Sequence, residues 1–444
     1  MLEGDTIVAI ATPPGRGGVG VIRVSGPSVP ALMEEILGRP IEPRMATLCR
    51  FSDGEGAAID YGIGIYFSAP HSYTGEHVLE IQGHGGQVVM SLIVERCLAL
   101  GARLAGPGEF TRRAFLNGKI DLAQAESVAD LIDATTRSAA RSAVRSLQGD
   151  FSRRIDALLK EMIDLRMLVE ATLDFPDEEI DFLESHDARG KAAKLLGSIS
   201  DIVSTARQGA ILRSGIQVVI AGKPNAGKSS LLNRLSGEEV AIVTDIPGTT
   251  RDAIRQSIEI GGIPIHVIDT AGLRESSDSV EIIGMERTRN ILSSADVILY
   301  IADAVSGLDD DDEKILATLP DLPAIIVMNK IDLVPEVRFD TATGRRKSVG
   351  ISAKTGQGMD DLKAALLDLL AWHSVGEDQF IARERHVHAL REAGDAVSRA
   401  IESPSPEFIA EELRLAQQSL SKITGEYTAD DLLGEIFSRF CIGK

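Results

Sequence analysis

The spacing of hydrophobic and polar residues changes three times along the chain, and each change predicts a different architecture. In residues 1–118, short apolar runs of alternating polarity predict strands with a few helices between them. From residue 120 to 210, apolar residues recur at helical spacing, and the same pattern returns at residues 383–438. Between the two helical stretches, apolar strands alternate with helices. The order predicts a multidomain chain with an α+β module, a split helical domain and an inserted α/β domain.

The N-terminal pattern predicts a small α+β domain. Apolar runs at residues 6–11 and 19–25, joined by a loop rich in proline and glycine, predict a β-hairpin. Residues 70–76 and 106–113 are predicted to be loops that carry functional side chains, although solvated surface loops have the same composition. Further elements complete the module, namely strands at residues 61–67 and 78–82 and helices at residues 31–37 and 88–100.

The predicted domain boundaries follow these changes of pattern. They are residues 1–118 for the α+β domain, 119–210 and 374–444 for the two parts of the helical domain, and 211–373 for the inserted domain. The termini of a domain usually lie close together and tolerate insertion, which makes one interrupted helical domain the economical arrangement. A coiled-coil scaffold or a dimer surface would produce the same helical pattern.

The inserted domain is predicted to contain a mostly parallel sheet. Its helices fall between most of the strands, as in Ras-like nucleotide-binding folds, and Gly261-Gly262 turns the only obvious hairpin. We therefore expect one antiparallel edge strand. The predicted strands lie at residues 216–221, 254–260, 264–268, 297–302, 324–328 and 348–351.

A phosphate loop is predicted at residues 222–229, Gly-Lys-Pro-Asn-Ala-Gly-Lys-Ser, directly after an apolar strand. Gly222 and Gly227 let the backbone curl so that successive N–H groups point at phosphate oxygens. Lys228 supplies a charge for the β and γ phosphates, and the Ser229 hydroxyl is placed to bind Mg²⁺. A chance glycine-rich turn is the alternative, but the strand before, the helix after and the further motifs downstream favour a phosphate loop.

Two motifs are predicted to face the metal and the γ-phosphate. Asp269-Thr270-Ala271-Gly272 follows a predicted strand, where the aspartate can hold Mg²⁺ through water and the glycine N–H can contact the γ-phosphate. Residues 248–252, Gly-Thr-Thr-Arg-Asp, lie in the loop after the first helix of this domain, where a threonine hydroxyl completes the Mg²⁺ shell. Both motifs fit a nucleoside triphosphate bound with Mg²⁺.

The identity of the base follows from two further motifs, Asn329-Lys330-Ile331-Asp332 and Ser352-Ala353-Lys354, each of which ends a predicted strand. Asp332 is placed to accept two N–H bonds from the edge of guanine. Adenine offers no matching donors, so ATP would leave this carboxylate without its partners and would bind poorly. The combination predicts GTP.

The residue after the Asp269–Gly272 motif determines how water is activated. Ras-like GTPases carry a glutamine there, whereas this chain has Leu273, which cannot hydrogen-bond to water. Another group must therefore orient the attacking water. Glu281, at the end of segment 274–281 and just before a predicted helix, can swing in. An acid favoured by the helix dipole would occupy the same position for purely structural reasons.

Composition narrows the choice of partners and compartment. The formal net charge of −20 argues against a general nucleic-acid binder, which needs a basic face, but leaves room for a local basic patch. Cys49, Cys97 and Cys441 are far apart and predict neither disulfides nor a zinc site, so a reducing cytosol fits best. With no basic, apolar leader and no apolar run of membrane-spanning length, we expect a cytoplasmic protein without a membrane partner.

Three stretches carry a resemblance that covers the whole chain. They are Asp5-Thr6-Ile7-Val8-Ala9 with the loop at residues 13–18, the run 245–252, and the ending Phe-Cys-Ile-Gly-Lys at residues 440–444. These stretches are similar to those of the MnmE (TrmE) family of tRNA-modification GTPases. The resemblance implies a heterotetramer with the flavoprotein MnmG, which carries FAD. The pair would place an aminomethyl or carboxymethylaminomethyl group at C5 of the wobble uridine of certain tRNAs, using a tetrahydrofolate one-carbon unit.

The resemblance also implies how the GTPase works. Family members form homodimers through the N-terminal domain, and their G domains pair across the nucleotide in a potassium-dependent way that is coupled to GTP hydrolysis. Glu281 is the implied catalytic carboxylate, and Mg²⁺ is expected at Ser229 and Thr250. The implied K⁺ ligands are Asn225, Thr244, Ile246 and Thr249. The residues expected to bind GTP are Asn225, Ala226, Gly227, Lys228, Ser229, Ser230, Thr244, Asp245, Ile246, Pro247, Gly248, Thr249, Thr250, Asp269, Thr270, Ala271, Gly272, Asn329, Lys330, Asp332, Ser352, Ala353 and Lys354.

A tetrahydrofolate site is implied in the N-terminal domain. Arg23, Glu80 and Lys119 match family folate contacts, and Lys444 at the chain end would reach the same site. Glu80 suits the amino and ring N–H groups of a pterin, and the cations suit the anionic remainder of the ligand. Cys441 would then lie near the one-carbon unit. Ordinary strand charges and a frayed chain end are the structural alternatives.

Two other functions fit part of this pattern. A ribosome-assembly GTPase of the same superfamily would ordinarily carry a basic RNA-binding module, and none is visible in the sequence. A scaffold that uses the nucleotide only as a dimer switch would bind GTP without needing a catalytic group. Mass spectrometry of wobble nucleosides distinguishes tRNA modification from both.

Overall fold

The computed structural model describes residues 4–174, 187–238, 255–269, 295–320, 322–334, 342–343, 346–370, 372, 380–426, 430–438 and 440–443. The chain forms two compact units. The first comprises Met1–Ala129, Leu147–His186 and Ser403–Lys444, and the second comprises Asp130–Ser146 and Asp187–Glu402. The finer division predicted from the sequence stays a prediction.

The N-terminal region forms a six-stranded sheet ordered β3-β4-β5-β2-β1-β6. Neighbouring strands are antiparallel except for β1 and β6, which are parallel. The predicted β1–β2 hairpin is confirmed, whereas the pattern does not predict β3 or the two-residue β6. The strands are β1 (Ile7–Ile10), β2 (Gly17–Ser25), β3 (Thr47–Ser52), β4 (Ala58–Phe67), β5 (Val78–Gly85) and β6 (Arg103–Leu104). The helices are α1 (Val29–Leu37), α2 (Gln87–Ala99) and α3 (Glu109–Leu116).

One face of this sheet packs against α1 and α2. Alternation along β2 and β5 directs every second side chain into that core. Arg23 and Glu80 belong to the intervening positions, and they lie directly opposite each other in the β2–β5 register. The two sequence-predicted folate contacts are therefore neighbours on the sheet face opposite α1 and α2. The core residues include Ile22, Val24, Leu32, Ile36, Leu79, Ile81 and Ile93.

Residues 106–113 are not the loop that the sequence predicts, because α3 begins at Glu109. Glu109 and Arg113 pair at 3.0 Å along one face of this helix, and Arg113 also pairs with Glu76 at 3.1 Å. Burial by itself would raise the pKa of Glu109, but hydrogen bonds from Arg103, the Gly106 N–H and Arg113 outweigh it and lower the pKa to about 2. Mutual neutralisation thus allows charged residues, which resemble a solvated loop in sequence, to form a buried helix.

Between α3 and the second sheet, the described residues form four helices, and the last leads directly into that sheet. Gly215 is the single residue between the fourth helix and the next strand, and its φ is +67°. A Cβ there would lie 2.6 Å from the Pro264 carbonyl oxygen, so the joint requires glycine. The helices are α4 (Leu122–Asp133), α5 (Arg137–Leu147), α6 (Asp150–Asp174) and α7 (Ala188–Ser214).

The inserted domain contains a seven-stranded sheet ordered β12-β13-β11-β10-β7-β9-β8. The five central strands are parallel, and β8 is the predicted antiparallel edge strand. A second antiparallel edge, β12, pairs with β13 over only two residues and leaves no readable pattern. The strands are β7 (Ile216–Gly222), β8 (Arg255–Ile260), β9 (Ile263–Asp269), β10 (Val297–Asp303), β11 (Ala324–Asn329), β12 (Ala342–Thr343) and β13 (Arg346–Ile351). The helices are α8 (Lys228–Glu238), α9 (Asp310–Thr318) and α10 (Met359–Leu369).

The helical domain resumes after the inserted domain, as the split pattern predicts. Its helices are α11 (Glu384–Glu402), α12 (Pro406–Thr424) and α13 (Asp430–Ser438). Within the first unit α12 packs against α6, and within the second unit α11 packs against α7. Among the described helices, none combines the length and the apolarity needed to cross a membrane.

Candidate functional site

The phosphate loop lies between β7 and α8, at the carboxyl end of a central strand. Gly222 has a φ of +142° and Gly227 a φ of +101°, and both sit against other chain segments. A Cβ at Gly222 would lie 2.2 Å from the Ile301 carbonyl oxygen, and one at Gly227 would lie 2.1 Å from Asn329 Nδ2. Asn225 also adopts a left-handed conformation, with a φ of +63°. The loop therefore depends on glycine where other segments approach it most closely.

Lys228 is held by the loop that it serves. Its ammonium donates hydrogen bonds to the carbonyl oxygens of Gly222, at 3.0 Å, and Lys223, at 2.8 Å. Only 9% of the residue is exposed. A cation held against two carbonyls in this position can exchange them for the phosphate oxygens of a nucleotide.

Lys223 of the phosphate loop forms a cluster with three residues outside the sequence motifs, and this cluster supports the loop from behind. Lys223 pairs with Asp309 and, at 3.0 Å, with Asp312, and Asp312 also accepts a hydrogen bond from the Tyr300 hydroxyl at 2.6 Å. Burial, aided by Asp312, raises the pKa of Tyr300, and the hydrogen bond from Lys223 lowers the pKa of Asp309 to about 2. Asp309 and Asp312 also form the capping box of α9. The side chain of Lys223 thus ties the phosphate loop to the start of a helix.

Asn329 joins the phosphate loop to the base pocket. It is 2% exposed, its Nδ2 donates to the Ala226 carbonyl at 2.9 Å, and its Oδ1 accepts from the Ala353 N–H at 3.0 Å. Arg234 of α8, a second residue outside the motifs, donates to the carbonyl oxygens of Ala353, at 3.2 Å, and Lys354, at 2.6 Å. Together these bonds position the Ser352–Lys354 turn relative to the phosphate loop.

Asp332 presents a carboxylate at the opening of this pocket. It lies in a short 3-10 helix, Ile331–Leu333, and is exposed. Lys330, just before it, has a φ of +71° and pairs with Asp303 at 2.6 Å, which fixes the backbone leading to the carboxylate. Among the residues that the structure describes, Asp332 forms no hydrogen bond or ion pair. Both carboxylate oxygens are therefore available to a ligand.

These elements surround one cavity of about 820 Å³. Cavities of this size hold small ligands and cofactors. It brings together three of the predicted motifs, while Ala226 is buried behind them. The lining residues are Pro224, Asn225, Gly227, Lys228, Ser229, Ser230, Asn329, Lys330, Asp332, Leu333, Ser352, Ala353 and Lys354.

Several predicted site residues stay predictions. Asp269 ends β9 beside Ile220 of β7, but only its backbone is described. The remaining GTP, metal and catalytic predictions lie outside the described residues, as does Lys444. They are Thr244, Asp245, Ile246, Pro247, Gly248, Thr249, Thr250, Thr270, Ala271, Gly272 and Glu281.

A second cluster, in the N-terminal sheet, brings Arg23 and Glu80 together. Arg23 donates from Nε at 3.0 Å and from Nη2 at 2.7 Å, both to Oε1 of Glu80. The guanidinium lies 5.7 Å from the ring centre of Tyr73 and 5.8 Å from that of Phe110. Within the described part of the chain, Glu80 Oε2 has no hydrogen-bond partner. The pair therefore retains an acceptor for a ligand.

The chain end docks on this cluster and is not frayed over residues 440–443. Ile442 forms a β-bridge with Pro107, and Arg23 Nη1 donates to the Gly443 carbonyl at 3.5 Å. Gly443 has a φ of +96°, and a Cβ there would lie 2.5 Å from the Ile10 carbonyl oxygen. The Lys119 side chain is exposed and forms no hydrogen bond or ion pair within the described residues.

Comparison with known proteins identifies the family of this chain. Residues 6–119 match the family model "GTP-binding protein TrmE N-terminus", and residues 122–441 match "MnmE helical domain". The chain is 58% identical over 441 residues to a tRNA modification GTPase MnmE of Thiobacillus denitrificans, covering 99% of this chain and 98% of the relative. A protein of the same name from Dechloromonas aromatica is 57% identical over 451 residues, covering both chains completely. The chain therefore belongs to the MnmE family of tRNA modification GTPases.

Proposed function

We propose that this chain hydrolyses GTP and, with the flavoprotein MnmG, installs an aminomethyl or carboxymethylaminomethyl group at C5 of the wobble uridine of certain tRNAs. The observation that carries the proposal is the cavity in which Lys228 and Asp332 face the same space, in a chain of the MnmE family. Deleting the gene should leave the wobble uridine without this group, and mass spectrometry of the wobble nucleosides measures it. Unchanged nucleosides with altered ribosome assembly would favour the ribosomal alternative. A protein with this activity is expected in the cytoplasm.

Mg²⁺ and the nucleotide would be held by residues at the start of α8. Ser229 and Ser230 are exposed there and line the cavity next to Lys228. A hydroxyl oxygen is a hard donor that suits Mg²⁺, which would neutralise charge on the phosphates. Thr250 would complete the shell. The N-terminus of α8 contributes its dipole to the same anionic groups.

The proposed assembly is a homodimer that binds MnmG as a heterotetramer. Large apolar side chains exposed on one face of neighbouring strands support the dimer, because such a row favours burial. Leu48 of β3 lies opposite Ile63 of β4, with Tyr61 on the same face, and their exposures are 75%, 38% and 60%. Light scattering of the chain alone tests the homodimer, and light scattering with MnmG tests the heterotetramer. A monomeric chain would contradict the first.

GTP hydrolysis should require K⁺. Asn225 lines the cavity with its backbone in a left-handed conformation, and its side-chain oxygen suits a hard cation. With Thr244, Ile246 and Thr249, it would hold K⁺ where other GTPases place an arginine, so the ion would stabilise transition-state charge. We expect turnover at least about 10-fold higher in KCl than in NaCl. Equal turnover at matched ionic strength would exclude the ion site.

Glu281 is proposed to orient the attacking water, because Leu273 cannot. Glu281→Gln should lower kcat by about 10²-fold while GTP affinity changes little, since the interaction forms mainly in the transition state. Single-turnover hydrolysis and equilibrium binding of a non-hydrolysable GTP analogue separate the two effects. Weaker binding with unchanged kcat would assign Glu281 a structural role.

The N-terminal cluster is proposed to bind a tetrahydrofolate derivative. Glu80 Oε2 would accept from the pterin, and Arg23, Lys119 and Lys444 would face its anionic groups. Glu80→Ala should weaken the binding of 5-formyltetrahydrofolate about 10- to 100-fold in calorimetry, while GTP hydrolysis persists. Glu34→Ala is the matched control, because Glu34 is exposed on α1. If both variants bind the folate normally, the Arg23–Glu80 pair is only a cross-strand ion pair.

A further inference from the structure

Helix α5 carries three arginines on one face, and the proposed GTP and folate sites use none of them. Arg137, Arg141 and Arg145 are four residues apart, which places them one above another with a spacing of about 6 Å along the helix. Arg137 and Arg141 are exposed, and Arg145 is partly exposed. Within the described residues, none of the three guanidinium groups forms a hydrogen bond or an ion pair. We name this row the arginine stripe.

The arginine stripe is positively charged, whereas the chain as a whole is negatively charged. The sequence has 66 acidic and 46 basic residues, yet residues 134–149 contain three arginines and no aspartate or glutamate. Like charges four residues apart repel each other on a helix, and Arg137 lies in the first turn, where the helix dipole disfavours a cation. A helix face that only contacted solvent would typically carry acidic residues between these arginines. The arrangement costs stability and therefore indicates a ligand.

The opposite face of α5 fixes the orientation of the stripe. That face consists of small buried residues, Ala139, Ser142, Ala143 and Ser146, which let the helix backbone approach its neighbours closely. Both ends are fastened within the second unit. Thr136 Oγ1 donates to the Gly262 carbonyl at 3.2 Å, and Ser146 Oγ exchanges hydrogen bonds with the Ile381 carbonyl, at 3.1 Å, and N–H, at 2.9 Å. The guanidinium groups thus project from a helix that is already in place.

We infer that the arginine stripe binds the phosphate backbone of tRNA, an inference that rests on the proposed function. A guanidinium matches a phosphate with two parallel N–H bonds, and a row of three at helical spacing suits successive phosphates of one strand. Contacts of this kind position a nucleic acid without reading its sequence. A local cationic row also explains how a chain with a net charge of −20 approaches a polyanion. The stripe supplies the local basic patch that the overall composition conceals.

The test replaces all three arginines with glutamine in the full chain. Arg137→Gln/Arg141→Gln/Arg145→Gln should weaken binding of an unmodified tRNA transcript at least about 10-fold. The logarithm of the association constant falls with the logarithm of the salt concentration, and the steepness of this slope should decrease by about 2 to 3. The corresponding lysine variant, which keeps the charges, should retain most of the tRNA affinity and most of the salt dependence. The matched control, Lys191→Gln/Lys194→Gln/Arg207→Gln, removes three exposed charges from α7 and should change binding less than about 2-fold. GTP hydrolysis should be unchanged in all variants.

Three results would overturn the inference. They are an equal loss of binding in the α7 control, an unchanged salt slope in the α5 variant, and no tRNA binding by the unaltered chain at low salt. Reduced modification in the presence of MnmG with unchanged tRNA binding would instead assign the stripe to a protein surface. Failure of the proposed function is distinguishable, because it would appear as unaffected wobble nucleosides while tRNA binding still depended on the stripe.

Discussion

Replacing Lys228 with alanine should reduce GTP hydrolysis by on the order of 10²- to 10³-fold, because the variant loses the cation that would face the β and γ phosphates. The side chain lies against the carbonyls of Gly222 and Lys223, so its removal leaves the loop without a cation at the point where phosphate oxygens would bind. Phosphate release at saturating GTP measures the effect.

The control for this variant is Lys314→Ala. Lys314 is exposed on α9 and pairs only at the surface with Asp311, so the same chemical change should alter turnover less than about 2-fold. If Lys228→Ala retained normal turnover, the phosphate-loop assignment would be wrong. A variant that bound GTP normally but hydrolysed it slowly would place Lys228 in the transition state alone.

Asp332→Asn should weaken GTP binding by about 10²-fold or more and transfer preference to xanthosine triphosphate. The carboxylate would accept two N–H groups of guanine, whereas the amide would present a donor where guanine also has one. Xanthine carries a carbonyl at that position and restores the match. Competition of the two nucleotides for the variant, read by hydrolysis of each, measures the exchange.

The change of nucleotide preference distinguishes an effect on base recognition from a loss of the fold. A misfolded variant would hydrolyse neither nucleotide, and a carboxylate without a role in base recognition would leave GTP preferred. Asp311→Asn, which changes an exposed aspartate of α9, should keep the normal preference. Only the base-pocket assignment predicts that one substitution lowers GTP binding and raises xanthosine triphosphate binding together.

The parts of the site that the sequence predicts are those in which a residue type is required by local chemistry. A curled phosphate loop needs glycine at Gly222 and Gly227, and guanine needs a carboxylate at Asp332. The fold class is predictable for a similar reason, because apolar runs of strand length alternating with helices allow few arrangements. Family resemblance adds the identity of the N-terminal domain, which short strands alone do not reveal.

The parts that the sequence does not predict depend on contacts between distant residues. Asp312 holds the phosphate loop through Lys223, 89 positions earlier, and no local pattern marks an acid within an acidic run as buried. The helical start of α3 is hidden for the same reason, since Glu109 and Arg113 read as solvated until their partners are known. The family resemblance implies Arg23 and Glu80 as folate contacts, but their pairing with each other appears only once the β2–β5 register is known.

Because Gly215 alone separates α7 from β7, a small rotation at this residue would move the far end of α7 by a larger distance. Helix α7 has 27 residues, which corresponds to a rigid arm about 40 Å long that ends at the start of β7, the strand whose other end leads to the phosphate loop. A rotation of about 10° at the joint would therefore sweep the far end of the arm through about 7 Å. Because α11 packs along this arm, the pair would swing together. A rotation that moved atoms near the phosphate loop too little to detect would move Ala188 measurably. A distance label near Ala188 would report it.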